Sequence, residues 1–211
     1  MTSLADTLAA LHLPAALRTS LDEFVRLFHK WNRRINLSAA RSEAELSDHV
    51  ADCLPLVPHL AAAVAEWHVQ PAPVLDVGSG GGLPAIVVAI CLRDIRITAL
   101  EPVHKKHAFL RTAARDLALQ NLEPLAERLD DHLRSNYAAA VSRATLDLRH
   151  WLLLGLDRVE PGGTVFGFEA VPRDDLPPGT QRHPYRHRDR SRAIVSLRRP
   201  SSQSTAARTI G

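Results

Sequence analysis

The chain has 211 residues, 45% of them hydrophobic, and a formal net charge of +3. This length and apolar content suit one α/β domain with a modest extension. The longest apolar run, residues 83–92, is shorter than the roughly 20 residues of a membrane span, and no signal-peptide pattern opens the chain, so we expect a cytoplasmic protein. Cys53 and Cys91 lie in apolar helical patterns without C-x-x-C spacing, which indicates core residues and not metal or redox chemistry.

The first part of the chain is predicted to be helical. Apolar residues recur at intervals of three and four from Ser20 to about Arg33, with Ser20 as the expected N-cap. Ser42-x-x-Glu45 has the spacing of a capping box and opens a second apolar stripe. Residues 61–67 either extend that stripe or form a third short helix. Together these helices are expected to cap the rest of the protein.

Strand and helix patterns alternate in the remainder of the chain. The predicted strands are 74–77, 96–100, a short one near Pro124, 138–141, 164–168 after a turn at 161–163, and 193–197; the predicted helices end at Leu92 and span 105–119 and 146–159. This alternation predicts an α/β fold with a doubly wound, mostly parallel sheet. The expected parts are a helical cap at 1–70, a core at 71–200 and a disordered tail at 201–211.

The segment from Val74 to Pro84 carries the clearest functional signal. A strand pattern containing Asp76 is followed by the turn Gly78-Ser79-Gly80-Gly81-Gly82-Leu83 and an apolar helix pattern. Glycines at this spacing serve positive backbone angles or the close approach of a ligand. The dinucleotide fingerprint would need glycine where Leu83 stands. The turn therefore favours S-adenosylmethionine, which has no pyrophosphate, over a nicotinamide cofactor.

A carboxylate is predicted beside this turn. Glu101 ends the next strand pattern, where its oxygens can accept hydrogen bonds from both hydroxyls of a ribose. Because ligands of doubly wound sheets bind at the carboxyl ends of the strands, we expect Gly78, Glu101 and Ser142 to emerge together. The alternative is a structural glycine turn and a solvated glutamate in another βαβ protein.

The segment Ser142-Arg143-Ala144 lacks the residues of several methyl-transfer chemistries. It has no Asn-Pro-Pro-Tyr motif for an exocyclic amine, no Pro-Cys for attack on a pyrimidine, and no evident general base. A ring nitrogen such as guanine N7 needs no base, because its lone pair is free, so positioning would supply most of the catalysis. Arg143 would then meet a phosphate or stack on a flipped base. The alternative is a structural arginine bonded to Asp130 or to strand-end carbonyls.

Residues 182–199 contain seven arginines and two histidines against a single acid, Asp189. This composition fits either an anionic partner or a basic solvated hairpin. His183 and His187 have the spacing of metal ligands on a helix, but Pro184 and the arginines argue against both the helix and a metal. We therefore predict no metal site.

Several spaced motifs occur in one order along the chain: Trp31-Asn32-x-x-Ile35-Asn36-Leu37, His49-x-x-Asp52, Asp76-x-Gly-Ser-Gly-x-Gly-Leu-Pro, Glu101-Pro102-x-x-Lys105-Lys106-x-x-Phe109-Leu110-Arg111, Asn121, Arg128 and Ser142-Arg143-Ala144. From about Leu17 to Leu197 the chain resembles the glucose-inhibited division protein B family, the ribosomal RNA small subunit methyltransferases G. The resemblance implies a Rossmann-like class I S-adenosylmethionine-dependent methyltransferase, monomeric and without metal or membrane. Its implied reaction is N7 methylation of one guanosine, guanosine 527, in the 16S rRNA of the small ribosomal subunit.

The resemblance also implies roles for individual residues. It places Gly78 and Leu83 against the methionine part of the cofactor. With the turn and strand-end residues, the expected cofactor set is Asp76, Gly78, Ser79, Gly80, Gly82, Leu83, Glu101, Leu129 and Asp130 at the adenine, and Arg143 as both cofactor contact and positioning residue. Lys105, Lys106 and Arg111 would lie on a helix beside the site, where they either meet RNA phosphates or form a solvated face.

The chain departs from the family's pattern in three places. Ala85 and Ala138 stand where glycine and aspartate are usual, and Glu169-Ala170 replaces Lys-Gly. Glu169 would oppose an anionic substrate unless it were paired, and Arg173 is the expected partner. Two alternatives therefore stand beside rRNA methylation: a family member that binds RNA or a partner without methylating, and a methyltransferase with a different substrate.

Overall fold

The fold is described from a computed structural model that covers residues 4–65 and 67–201. Its helices are α1 (Leu4–Ala10), α2 (Leu17–Ile35), α3 (Glu43–Cys53), α4 (Leu56–Val64), α5 (Ala85–Cys91), α6 (His104–Asp116) and α7 (Leu148–Leu156). Its strands are β1 (Ala72–Val77), β2 (Ile95–Leu100), β3 (Leu122–Leu125), β4 (Tyr137–Ser142), β5 (Val159–Glu169), β6 (Gln181–His187) and β7 (Arg190–Arg198).

The strands form one sheet in the order β3-β2-β1-β4-β5-β7-β6. The first five strands run parallel, and β7 pairs antiparallel with both β5 and β6. Strands β1 and β4 are buried along their whole length, as expected for strands covered on both faces. The predicted α/β fold with a mostly parallel sheet is confirmed.

Two hydrophobic clusters fill the two sides of the sheet. One joins the N-terminal helices, α5 and α6 to the sheet; in it Phe28 contacts Phe24 and Phe109 edge to face, with ring centroids 5.8 and 5.5 Å apart. The other lies under α7, where the indole N–H of Trp151 donates to the carbonyl of Phe166 at 2.7 Å. The N-terminal helices thus share one continuous core with the sheet.

The beginnings of the N-terminal helices differ in part from the prediction. Helix α2 begins at Leu17, which continues the apolar stripe, and Ser20 lies inside the helix and is not its N-cap. Ser42 caps α3 as predicted, because its side chain accepts from the N–H of Glu45 at 3.2 Å. Glu45 accepts in turn from the N–H of Arg41, one residue before the position that a standard capping box uses.

The second apolar stripe is divided between two helices. Helix α3 ends at Cys53, and α4 begins at Leu56 with Pro55 at its N-cap, since proline lacks the N–H that would continue α3. Of the segment 61–67, which was expected either to extend the stripe or to form a third short helix, residues 61–64 are the second half of α4, which ends at Val64. Helix α1 was not predicted, although its Leu4 and Leu8 are buried in the core.

The C-terminal half departs from the prediction at strand β5. This strand begins at Val159, where a helix was expected to end, and the predicted turn at 161–163 lies inside it. There the register against β4 shifts between Tyr137 and Ala139, so the glycines accommodate a bulge. Strand β6 was not among the predicted strands, and only the hairpin alternative for residues 182–199 implied one there. The predicted disordered tail falls outside the described residues, except for Ser201.

Candidate active site

Three strand ends meet where the sequence predicted them to meet. Val77, the last residue of β1, is paired with Leu100 of β2 on one side and with Ser142 of β4 on the other. The N–H of Gly78 donates to the carbonyl of Leu100 at 3.0 Å, and the hydroxyl of Ser142 donates to the carbonyl of Val77 at 2.9 Å. These bonds join the ends of β1, β2 and β4 into one edge, on which the site is built.

The glycine turn has two distinct sides. Gly78 and Gly80 both have positive φ angles, of 71° and 55°, which a residue with a side chain adopts only at a cost. A Cβ at Gly78 would stand 2.3 Å from the Oγ1 of Thr145, so the turn closes tightly on the segment after β4. At Gly80 the nearest atom would be 3.8 Å away. The missing side chain of Gly80 therefore leaves open space in which a ligand can approach the backbone.

Glu101 is held in place by the turn. Its side chain is nearly buried, and its Oε2 accepts from the N–H of Gly80 while its Oε1 accepts from the N–H of Val103, each at 2.8 Å. A carboxylate has about four lone-pair sites. Two of them remain for further donors, such as the hydroxyls of a ribose.

Asp76 lies beneath the turn, with 1% of its surface exposed. Burial raises the pKa of its carboxyl to about 7, against the opposing effects of the Ser79 hydroxyl and the Ala85 N–H. Its Oδ2 has no hydrogen-bond partner among the described residues, and a buried orphan of this kind is uncommon. The orphaned oxygen, the free lone pairs of Glu101 and the space at Gly80 fit S-adenosylmethionine, which carries an amino group and two ribose hydroxyls.

The other predicted cofactor residues lie in the segments that follow β1 and β3. Gly82 donates its N–H to the carbonyl of Ser79 at 2.7 Å and leads into α5, and Leu83 is half-buried against the core. Leu129 and Asp130 lie in the loop after β3, which is the neighbour of β2. Leu129 packs on the cluster under α7, and Asp130 is exposed.

Arg143 leaves the end of β4 and reaches helix α3. Its Nη1 donates to the Sγ of Cys53 at 2.7 Å and to the carbonyl of His49 at 3.4 Å, and its Nη2 lies 3.5 Å from the Oδ2 of Asp52. The alternative partners considered from the sequence, Asp130 and strand-end carbonyls, are wrong. These partners all lie on α3, so the cap helix stands within reach of the segment after β4, which the sequence does not reveal.

A cavity of about 610 Å³ opens beside Arg143. It lies between α3, the segment after β4 and the hairpin formed by β6 and β7. Its charged lining residues are Glu45, Asp48, Asp52, Arg143, Arg188, Asp189, Arg190 and Arg192, with His49 and His187. Both signs of charge therefore face one cavity, which suits a polar planar ligand with acceptor atoms and a nearby phosphate.

The basic segment 182–199 is a hairpin in which several basic side chains contact acids from other elements. His187 Nε2 lies 3.0 Å from Asp48 Oδ2, and Arg192 Nη1 lies 2.6 Å from Asp52 Oδ2. The solvated-hairpin alternative gave the correct backbone but missed these pairs, because their acids lie far away in the sequence.

Glu169 is paired, but not as the sequence predicted. It is 4% exposed, and Arg182 donates to both of its carboxylate oxygens, from Nε to Oε2 at 2.9 Å and from Nη2 to Oε1 at 3.1 Å. Arg173 contributes only its backbone N–H, at 3.0 Å. The guanidinium of Arg173 binds Asp147 and Asp175 instead.

The three cations predicted to meet RNA all lie on α6. Lys105 and Arg111 are exposed and Lys106 is half-buried. Helix α6 begins at His104, shortly after Glu101, so Lys105 and Lys106 in its first turn are the members of this group nearest in sequence to the strand-end edge.

Neither a metal centre nor a membrane segment is found in the described part of the chain. No cluster of three or more His, Cys, Asp or Glu side chains in residues 4–65 and 67–201 is arranged to hold a metal ion. In the same residues, no helix is both long and apolar enough to cross a membrane.

Comparison with known families identifies the type of site. The family model GidB, described as rRNA small subunit methyltransferase G, matches residues 18–178. The chain belongs to the GidB family. It is 38% identical over 179 residues to the ribosomal RNA small subunit methyltransferase G of Burkholderia pseudomallei strain 1106a, covering 80% of this chain and 75% of that protein. The corresponding protein of strain 668 is 40% identical over 170 residues, with coverage of 77% and 71%.

Solved structures support the fold. The S-adenosylmethionine-dependent methyltransferase SibL aligns with a TM-score of 0.56 and 20% identity over 80% of this chain and 61% of its own. The T. thermophilus 16S rRNA methyltransferase RsmC, in complex with AdoMet and guanosine, aligns with a TM-score of 0.53 and 15% identity over 70% and 42%. The fold is the class I methyltransferase fold, and this GidB family member is an S-adenosylmethionine-dependent rRNA methyltransferase. The resemblance found from the spaced motifs is confirmed.

Sequence reasoning missed several of the residues around Arg143 and its cavity. Cys53 was interpreted as a plain core residue, although its sulfur accepts from Arg143. Tyr185 and Arg192 were counted only as members of a basic segment, although both bind Asp52. The available signal was the motif His49-x-x-Asp52, which places an acid on the buried side of an amphipathic helix, where it requires partners.

Proposed function

We propose that this protein transfers the methyl group of S-adenosylmethionine to N7 of a single guanosine in the 16S rRNA of the small ribosomal subunit. It would act as a cytoplasmic monomer without a metal ion. The observation that carries the proposal is the position of Arg143. This residue follows the end of β4, which is bonded to the cofactor edge through Ser142, and its side chain lines the acceptor cavity.

The cofactor side consists of the residues around the glycine turn. Glu101 would accept the ribose hydroxyls, and Gly78, Gly80 and Leu83 would face the methionine part. Asp76, Ser79 and Gly82 shape the turn, and Leu129, Asp130 and Arg143 complete the expected set. When bound, S-adenosylmethionine supplies an electrophilic methyl group on a sulfonium.

The acceptor side is the cavity between α3 and the hairpin. A guanine would enter it with N7 directed to the strand-end edge, and Arg143 would hold the nucleotide by its phosphate or by stacking. Guanine N7 attacks with a free lone pair, so no residue needs to remove a proton. The base gains positive charge during the transfer. The carboxylates of Asp48 and Asp52, which line the cavity, would stabilise this positive charge.

RNA would be held around the cavity by cations. Lys105, Lys106 and Arg111 on α6, together with Arg188 and Arg190 at the cavity, are placed to meet phosphates. Such contacts release counterions, so binding should weaken steeply as the salt concentration rises.

The alternative of a binding-only protein is less favoured by the surroundings of Glu169. Its negative charge is buried and paired with Arg182, so it does not oppose an anionic substrate. Ala138 is fully buried in β4, away from any substrate. Ala138 and Glu169, the two departures that motivated this alternative, are therefore buried residues of the sheet.

The test is methyl transfer to a defined substrate. The protein is incubated with methyl-labelled S-adenosylmethionine and small ribosomal subunits that lack the modification, and the labelled nucleosides are identified by mass spectrometry. We expect 7-methylguanosine at one position, and a reaction rate that falls as salt rises. Label on another nucleoside, or no label while the cofactor still binds, would replace this proposal with one of the two alternatives.

A further inference from the structure

Asp52, on the N-terminal cap, contacts both the segment after β4 and the hairpin formed by β6 and β7. It lies on α3 and is 3% exposed. Its Oδ1 accepts from the hydroxyl of Tyr185 at 3.0 Å, and its Oδ2 accepts from Nη1 of Arg192 at 2.6 Å. The Nη2 of Arg143 lies 3.5 Å from the same Oδ2. A buried carboxylate needs such partners, because leaving its charge unpaired is costly.

The distances indicate that Tyr185 and Arg192 hold the carboxylate of Asp52, and that this carboxylate in turn holds Arg143. The bonds from Tyr185 and Arg192 are normal in length or short, whereas the approach of Arg143 is longer. Strands β6 and β7 carry the two tight donors, and they are paired through the register Tyr185 to Arg192. The hairpin therefore fixes Asp52 from both of its oxygens, and Arg143 rests against an anion that is already oriented.

A second carboxylate strengthens the same connection. Asp48 lies one helical turn before Asp52 and contacts His187 Nε2 at 3.0 Å and Arg188 Nη2 at 2.8 Å. The other ring nitrogen of His187 lies 3.8 Å from Asp52. The hairpin thus contacts α3 at two successive turns, and these two contacts together hold the hairpin against α3.

These donors lie beyond the part of the chain that defines the family. The GidB model ends at residue 178, before β6 begins. Resting on the function proposed above, we propose that Tyr185 and Arg192 are positioning residues for methyl transfer: they fix Asp52, and Asp52 holds the Arg143 guanidinium at the wall of the acceptor cavity.

The test uses Tyr185→Phe, which removes one hydroxyl, and Arg192→Gln, each in the full chain with small ribosomal subunits as substrate. Misplacement of a positioning group by about 1 Å can cost on the order of a hundredfold in rate, so we expect kcat to fall at least tenfold. The affinity for S-adenosylmethionine, measured by calorimetry, should not change. Arg192→Lys should restore part of kcat, and the exposed neighbour Arg186→Gln is the matched control and should react like wild type.

Asp52→Asn distinguishes positioning from simple structural support. If both hairpin residues act through Asp52, the double variant Tyr185→Phe with Asp52→Asn will be no slower than the slower single variant. Wild-type kcat in the hairpin variants, or losses that multiply in the double variant, would overturn the inference while the proposed function stands. Absence of methyl transfer by the wild type itself would overturn the proposed function.

Discussion

The guanidinium of Arg143 donates to the sulfur of Cys53 at 2.7 Å, across 90 residues of chain. Burial raises the pKa of the Cys53 thiol to about 11, so the sulfur is neutral at physiological pH. A neutral thiol is a weak acceptor. The cap therefore locates Arg143 through two different contacts, a neutral thiol and the carboxylate of Asp52 3.5 Å away.

Arg143→Lys is expected to lower methyl transfer at least a hundredfold. Lysine keeps the charge but has no planar fork, so it cannot contact Cys53 and Asp52 at once. Displacing a positioning group by about 1 Å can lower the rate roughly a hundredfold. Binding of S-adenosylmethionine should fall much less. Single-turnover kinetics and calorimetry measure the two quantities. The control is Arg149→Lys on the exposed face of α7; equal turnover by both variants would remove Arg143 from the reaction.

Glu101→Gln is expected to weaken the affinity for S-adenosylmethionine. Hydrogen bonds to a charged group contribute about 1.5–3 kcal/mol, so the Kd should rise roughly tenfold to a hundredfold. The amide has one accepting oxygen, so it can keep the bond from the N–H of Gly80 or the bond from the N–H of Val103, but not both. Titration calorimetry gives the Kd, with the exposed Glu123→Gln as control. An unchanged Kd in the Glu101 variant would show that its carboxylate does not touch the cofactor.

The two glycines at positive φ should respond differently to alanine. Gly80→Ala places a methyl group in open space, so its cost to folding should be limited to the backbone strain of about 1–2 kcal/mol, while cofactor binding is blocked. Gly78→Ala forces a Cβ into Thr145 and should destabilise the protein more. Urea unfolding and cofactor titration of both variants test this. If Gly80→Ala binds the cofactor normally, the space beside Gly80 is not the cofactor site.

Asp76 makes the stability of the protein dependent on pH. Its folded pKa of about 7 lies above the unfolded value of 3.8, so the folded state holds the proton more tightly. Its stabilising contribution is therefore complete below about pH 4 and is lost as the pH rises to about 7. The free energy of unfolding of the wild type, relative to Asp76→Asn, should fall by at most about 1.4 kcal/mol per pH unit over this range. A difference independent of pH would contradict the raised pKa; exposed Asp94→Asn is the control.

Glu169→Lys, which introduces the usual residue of the family, should destabilise this chain. It would place a second cation against the guanidinium of Arg182, and losing one partner of a buried pair costs about 3–5 kcal/mol, less where the other partner is partly exposed. Arg182→Glu in the same chain should restore much of the loss. Thermal unfolding of the single and double variants measures this. Additive losses would show that the two side chains are not coupled.

The cofactor half of the site could be predicted from the sequence because its residues are close together in the chain. Asp76, Gly78 and Gly80 belong to one strand and turn, and Glu101 ends the next strand, so periodicity and the rule for parallel sheets were sufficient. The acceptor half could not be predicted in this way. Arg143 and its partners on α3 come from separate parts of the chain, and their meeting is decided by how the cap packs on the sheet.

The charge pattern of the sequence also gave wrong partners for charged side chains whose true partners lie far away in the chain. The basic segment 182–199 was expected to face solvent or an anion, but Asp48 and Asp52 neutralise part of it from α3. Glu169 was expected to pair with Arg173, four residues away, yet Arg182 on the neighbouring hairpin reaches it first. Strand β6, which carries Arg182, is separated from β5 by β7, so this pair depends on the strand order of the sheet, which distance along the chain does not reveal.

The contacts between α3 and the hairpin join residues that are 133 to 140 positions apart. Contacts of such long range form late, because the entropy of closing the loop must be overcome first. During synthesis, the cofactor edge is complete in sequence once the segment after β4 has been made, whereas the acceptor cavity has no second wall until β7 has emerged and paired. A newly made copy of this rRNA methyltransferase would therefore complete the edge formed by the ends of β1, β2 and β4 before it completes the cavity beside Arg143.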